Sequence, residues 1–156
     1  MKRTSTERAY MAAAVENASP AGLVVILMDL LVSDLKQAIA AMQNQDIEKR
    51  SAELKHGFMV LQQLQECLDM EKGGDAAKHL SLFYSVIRSR MLEAQLQKDA
   101  RILERQIELL LQVRQAWQQV DTKRPAPAAG SPTPSANVSP QITPAKDEDT
   151  QASWTA

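Results

Sequence analysis

The sequence predicts an all-α protein, and three observations lead to that prediction. Only five glycines and six aromatic residues (Phe, Tyr and Trp, two each) occur in 156 residues, too few for a typical β-sandwich, barrel or nucleotide-binding sheet. No proline occurs between Pro20 and Pro125. Apolar residues recur in that stretch at intervals of three and four, the period of a stripe on an α-helix. The expected fold is an antiparallel up-down four-helix bundle.

Residues 1–18 precede the first strong helix signal. Their Tyr10, Met11 and Val15 are apolar enough to pack as a short N-terminal helix or arm. The first bundle helix is predicted to start at Ser19-Pro20, where serine caps the helix and proline suits its first position. It should end near Asn44-Gln45.

Three further helices follow before residue 120. The second is capped by Asp46 and stops before Gly73-Gly74, the third opens at Asp75 and ends near Lys98-Asp99, and the fourth continues to Val120. The connections are short, so successive helices should be antiparallel neighbours. The side of the third helix predicted to be buried carries Ala76, Leu80, Phe83, Tyr84, Ile87, Met91 and Ala94.

Composition changes sharply after Val120. Six of the seven prolines lie beyond it, among alanine, serine and threonine, and such a segment buries too little apolar surface to offset its ordering entropy. The predicted organisation is therefore an N-terminal arm or cap over 1–18, a bundle over 19–120 and a disordered Pro-rich tail over 121–156.

Charge, hydropathy and cysteine content exclude several classes of partner. Eighteen Lys and Arg balance nineteen Asp and Glu, so the broad positive field that non-specific nucleic-acid binding requires is missing. The longest apolar run, Leu23 to Met28, is far shorter than the roughly 20 residues of a membrane span. The single cysteine, Cys67, cannot form an intramolecular disulfide. We expect a cytoplasmic protein that neither binds nucleic acid nor inserts into membranes.

No complete catalytic, metal or cofactor site is predicted. Glu53-x-x-His56 is half of a di-iron bundle motif, but His79 has Ala76 three residues before it, so a second copy is missing. Neither histidine is followed by the lysine and glycine of a phosphotransfer bundle. Gly73-Gly74 lacks the Lys-Ser/Thr of a phosphate loop, which favours a helix stop. Cys67 has no basic neighbours to activate it and is predicted to be a small, partly buried apolar residue.

The first bundle helix carries more apolar surface than one face of a bundle needs. Val24, Val25, Met28 and Val32 extend its main stripe around most of the circumference. Something must cover this surface, and three candidates remain open: the N-terminal arm, a second copy of the chain, or an amphipathic helix of a partner lying in a groove.

A set of residues in a fixed order resembles the FliS family of flagellin-specific export chaperones over about residues 10–117. The resemblance is carried by Tyr10, Val15 to Pro20, Leu23, Leu35-x-x-Ala38, Leu68-Asp69, Gly73-Gly74, Leu80, Tyr84, Arg88, Arg90, Leu92, Ala94 and Trp117. The sequence departs from the family pattern at Ala21, Gly22, Met28, Val86 and Gln95.

The resemblance implies a cytoplasmic chaperone, without cofactor, that binds the C-terminal segment of flagellin, prevents its premature polymerisation and presents it to the flagellar type III export gate. It further implies that Tyr10 and Val15 form a displaceable cap over a groove lined by Leu23, Leu27 and Met28. For each of these residues, ordinary core packing is the alternative. The alternative function is a helical adaptor or dimerisation module without a flagellin client, and a homodimer when flagellin is absent is compatible with both.

Overall fold

The computed structural model describes residues 4–123, which form five α-helices and no β-strand. Residues 1–3 and 124–156 lie outside the described part. The helices are α1 (Ser5–Asn17), α2 (Pro20–Gln43), α3 (Ile47–Glu66), α4 (Gly74–Gln97) and α5 (Ala100–Lys123). The predicted all-α class is confirmed.

Local capping explains where α2 and α3 begin. The Ser19 side chain accepts a 2.9 Å hydrogen bond from the Gly22 N–H, and Pro20 follows as the first helical residue. At α3, Asp46 Oδ1 accepts from the Lys49 N–H, also at 2.9 Å. Each bond satisfies one of the N–H groups that a helix start leaves without a partner. Both predicted caps are confirmed.

The ends of α4 are set by backbone conformation. The helix begins at Gly74, one residue before the predicted Asp75, and Gly74 has a φ of +51°, which glycine adopts without strain. Lys98 ends α4 in the left-handed conformation with a φ of +56°. Asp99 Oδ1 then accepts from the Arg101 N–H at 2.9 Å, so two residues suffice to join α4 to α5.

The four long helices surround one apolar core. α2 packs against α3 and α5, while α4 packs against α5 and α3. These pairings fit the predicted four-helix bundle. Leu31 and Leu35 of α2, Leu61 and Leu64 of α3, Tyr84, Ile87 and Met91 of α4, and Leu103 and Leu110 of α5 are all fully buried.

Polar contacts also join neighbouring helices. The Arg114 guanidinium of α5 donates to both carboxylate oxygens of Asp29 on α2, at 2.5 and 2.9 Å. On the opposite side, Arg88 of α4 donates to Gln65 at 3.3 Å and lies over the ring of Phe58. These contacts hold α2 to α5 and α3 to α4.

The end of α5 lies beyond the boundary predicted at Val120. The helix continues to Lys123, and the Asp121 carboxylate accepts a hydrogen bond from the Ser19 hydroxyl at the start of α2. Because this contact joins positions 102 residues apart, a composition change could not reveal it. Residues 121–123 thus belong to α5, and the rest of the predicted tail lies outside the described residues.

Candidate interaction surface

Three of the predicted site residues lie on α2, and none of them faces open solvent. Leu27 and Met28 are buried, and Met28 is completely inaccessible. Leu23 is partly buried and packs against the core. Leu27 and Met28 lie in the core, which agrees with the alternative interpretation of ordinary core packing. Both residues belong to the apolar core of the bundle.

The other two predicted residues lie on α1, which is held by local interactions. Thr4 Oγ1 accepts from the Glu7 N–H at 3.2 Å, and Glu7 Oε2 accepts from the Thr4 N–H at 2.9 Å, which forms a capping box. α1 contributes no buried residue. Tyr10 is 74% exposed, and Val15 is also exposed.

The expected cap over the groove is therefore not seated in this structure. Tyr10 and Val15 are five residues apart, which places them about 140° apart around a helix. The two side chains consequently cannot both face the bundle from one helix. The short N-terminal helix forms as predicted, with Tyr10 and Val15 exposed and Met11 partly buried.

Much of the wide apolar surface of α2 is covered by the chain itself. Val24 and Val32, which were expected to need an additional cover, are both buried. α3 and α5 flank α2 on two sides, so a stripe of about half the helix circumference is buried within the bundle. The bundle thus covers Val24, Met28 and Val32, whereas Val25 is only partly buried. That the arm, a second copy or a partner covers the remaining apolar surface stays a prediction.

Among the described helices, α4 carries the largest group of exposed large apolar side chains. Opposite its buried Tyr84, Ile87, Met91 and Ala94, this helix exposes four large apolar side chains, which we call the α4 apolar stripe: Leu82, Val86, Leu92 and Leu96.

The stripe is large enough to serve as a docking face. Its members fall within an arc of about 120° and extend about 21 Å along the helix. Leu82 is 65% and Leu96 83% exposed. A helical wheel of the sequence could have shown this second apolar face. The sequence analysis assigned only one buried side to this helix and therefore missed it.

The residues considered for chemistry form no reactive cluster in the described part of the chain. No group of three His, Cys, Asp or Glu side chains that could hold a metal ion occurs there. His56 Nδ1 instead lies 2.6 Å from Oδ2 of Asp34, a buried residue.

No helix within residues 4–123 is both long and apolar enough to cross a membrane.

Cys67 follows the end of α3 and is exposed, not partly buried as predicted. Desolvation by neighbouring atoms, and secondarily the Glu66 carboxylate, raise the pKa of its thiol. A raised pKa disfavours the thiolate, which is the nucleophilic form. The environment of Cys67 thus opposes a nucleophilic role.

Comparison with known proteins identifies relatives over nearly all of the described residues. The family model described as flagellar protein FliS matches residues 3–124. The flagellar secretion chaperone FliS of Vibrio cholerae serotype O1 is 33% identical over 103 residues, covering 66% of this chain and 76% of that protein. FliS of Salmonella typhimurium is 33% identical over 111 residues, or 70% and 82% of the two chains. The chaperone FliSB of Pseudomonas aeruginosa is 31% identical over 105 residues, or 67% and 83%.

Proposed function

Since the chain belongs to the FliS family of flagellar secretion chaperones, we propose that it is a cytoplasmic chaperone for flagellin. It binds the C-terminal segment of flagellin, prevents premature polymerisation, and delivers the subunit to the flagellar type III export apparatus. No cofactor or catalytic step is required by this function.

The α4 apolar stripe is the observation that supports this proposal most directly. An amphipathic client helix binds by laying apolar anchors, spaced three or four residues apart, on a complementary apolar surface. The stripe offers four apolar contacts along one helix, away from the core, with Val86 and Leu92 six positions apart and the other neighbours four positions apart. A client segment that is disordered alone can fold on this surface and bury the side chains that would otherwise drive polymerisation.

The exposed side chains of α1 supply a second contact in this proposal. Tyr10 combines an apolar ring with a polar hydroxyl, a combination that is common at binding interfaces. Val15, on another side of α1, and the partly buried Leu23 of α2 would add further apolar contacts. Leu27 and Met28 would support this contact from within the core.

Calorimetry with purified protein tests the client. The protein is titrated with the C-terminal segment of flagellin from the same organism, and an N-terminal flagellin segment serves as the control. Saturable one-to-one binding of the C-terminal segment alone, with a negative heat-capacity change, is expected because apolar surface is buried. Absence of binding to either segment would refute the proposed client.

Substitutions on the exposed faces test the surface. Leu82→Glu and Leu96→Glu place a charge on the α4 apolar stripe and should each weaken client binding about tenfold or more, since an unpaired charge would be buried in the complex. Met59→Glu is the matched control, because Met59 is 57% exposed on α3, outside the stripe. Equal losses for all three variants would exclude the stripe as the specific binding surface.

A homodimer is the second candidate, because an exposed apolar stripe also suits a second copy of the chain. In this case the protein would act as a helical adaptor or dimerisation module without a flagellin client. Light scattering should then give a mass that rises with concentration and returns to that of the monomer in Leu82→Glu. A monomer over the whole concentration range would exclude this candidate.

A further inference from the structure

A pocket of about 400 Å³ lies where the α2–α3 turn meets the end of α4. Its lining residues are Met42, Gln45, Ile47, Arg50 and Lys98. The pocket thus combines two apolar side chains with two cationic ones. It is separate from the α4 apolar stripe, whose residues do not line it.

The two cations of this pocket have no anionic partner in the described part of the chain. Neither Arg50 nor Lys98 takes part in a salt bridge among residues 4–123. The Nε atom of Arg50 is buried and has no hydrogen-bond acceptor there. A buried donor without an acceptor is unfavourable, so an anion that draws this guanidinium toward it would relieve a cost that the folded chain carries.

Two acidic residues that adjoin the pocket lining in sequence, Asp46 and Asp99, are engaged within their own turns. Asp46 Oδ1 accepts from the Lys49 N–H at 2.9 Å and caps α3. Asp99 accepts from the Arg101 N–H at 2.9 Å and from the Arg101 Nε at 3.3 Å. Among residues 4–123, neither these two carboxylates nor those of Glu48 and Glu53 form a salt bridge with Arg50 or Lys98.

A second pocket, between α4 and α5, contains arginines whose charges are neutralised by carboxylates. It is lined by Arg90, Arg101 and Arg105. Arg90 pairs with Glu93 at 2.6 Å, Arg101 with Asp99 at 3.3 Å, and Arg105 with Glu108 at 2.7 Å. Each arginine is therefore already paired, and this pocket provides a control for the first one.

We propose that Arg50 and Lys98 bind the terminal carboxylate of the client chain. Arginine and lysine form charge-assisted hydrogen bonds with carboxylates, while Met42 and Ile47 would contact the last apolar side chain of the client. The volume suits the end of a peptide chain. This inference rests on the proposed function, because it assumes that the client binds through its C-terminal segment.

Two synthetic peptides test the inference by calorimetry. Both carry the C-terminal flagellin segment, one ending in a free carboxylate and the other in an amide. Amidation removes the negative charge and should weaken binding to the unmodified protein about tenfold, the effect of losing one charge-assisted hydrogen bond. Because the change is in the peptide, this comparison does not depend on a variant protein folding.

Protein variants assign the effect to the pocket. The double variant Arg50→Gln/Lys98→Gln should bind the two peptides with equal, weakened affinity. Arg105→Gln, in the neutralised pocket, should keep the tenfold difference. Thermal unfolding followed by circular dichroism verifies that each variant is folded.

The outcomes separate this inference from the proposed function. Equal binding of both peptides to the unmodified protein would overturn the carboxylate site and leave the client assignment intact. A difference that Arg105→Gln abolishes and the double variant keeps would also overturn it. Failure of both peptides to bind would overturn the proposed function and, with it, this inference.

Discussion

At the scale of single residues, the contact between Asp34 and His56 is the clearest case of a polar group placed inside the core. Asp34 is 1% exposed on α2, and its Oδ2 lies 2.6 Å from Nδ1 of His56 on α3. Buried carboxylates are tolerated when they are hydrogen-bonded or paired. His56 thus has a structural role that joins α2 to α3.

Replacement of the two histidines should have different effects on stability. His56→Ala removes a hydrogen-bond partner from a buried carboxylate and should lower the free energy of unfolding by about 1–3 kcal/mol. His79→Ala is the matched control, since His79 is exposed on α4 and surface changes usually stay within about 0.5 kcal/mol. Urea unfolding measures both, and equal effects would contradict a structural role for His56.

The sequence identified His56 as a candidate but could not identify its partner. Glu53 was the neighbour suggested by the local pattern, whereas the observed partner, Asp34, lies 22 residues earlier on another helix. Side-chain pairs within one helix follow from spacing. Contacts between helices depend on how the helices are rotated against each other, and the sequence pattern does not fix this rotation.

At the scale of the elements, hydrogen bonds of Ser19 connect the start of α2 to the end of α5. The Ser19 hydroxyl accepts from the Gly22 N–H and donates to the Asp121 carboxylate. A Cβ atom at Gly22 would lie 3.0 Å from Ser19 Oγ and 3.4 Å from Asp121 Oδ2. Gly22, which leaves the α2 capping box incomplete, thus gives the Asp121 side chain room to reach the cap.

A double-mutant cycle measures the coupling energy between Ser19 and Asp121. Ser19→Ala should cost about 1 kcal/mol, because the helix loses its cap. Asp121→Ala should remove the contact between α2 and α5, and the double variant should lose less than the sum of the two single variants. We expect a coupling energy of at least about 0.5 kcal/mol in urea unfolding. Additive effects would show that Asp121 does not support the cap.

Helix boundaries were predicted more accurately than the buried faces of the helices. Ser19, Asp46 and Lys98 mark boundaries through local backbone chemistry, and the structure places boundaries at all three. The buried side of α4 was predicted less well, since Ala77 is buried where Ala76 was expected. One residue corresponds to a rotation of 100°, and the packing of neighbouring helices determines which of two apolar faces is buried.

At the scale of the whole molecule, the residues that stabilise the fold differ from those proposed to bind the client. The core lies among α2, α3, α4 and α5, whereas α1 contributes no buried residue. An isolated helix of this length is only marginally stable in water, so α1 should gain most of its order when a client covers it. The exposed residues of α1 and of the α4 apolar stripe can therefore change with little effect on folding.

Two alanine substitutions test this separation. Tyr10→Ala removes a side chain that is 74% exposed, so the free energy of unfolding should change by less than about 0.5 kcal/mol, while client affinity falls severalfold. Met28→Ala empties a site in the core and should cost about 2–5 kcal/mol of stability. Urea unfolding and calorimetry measure the two quantities. Equal losses of stability and affinity in Tyr10→Ala would place Tyr10 in the core, and an unchanged affinity would remove it from the client surface.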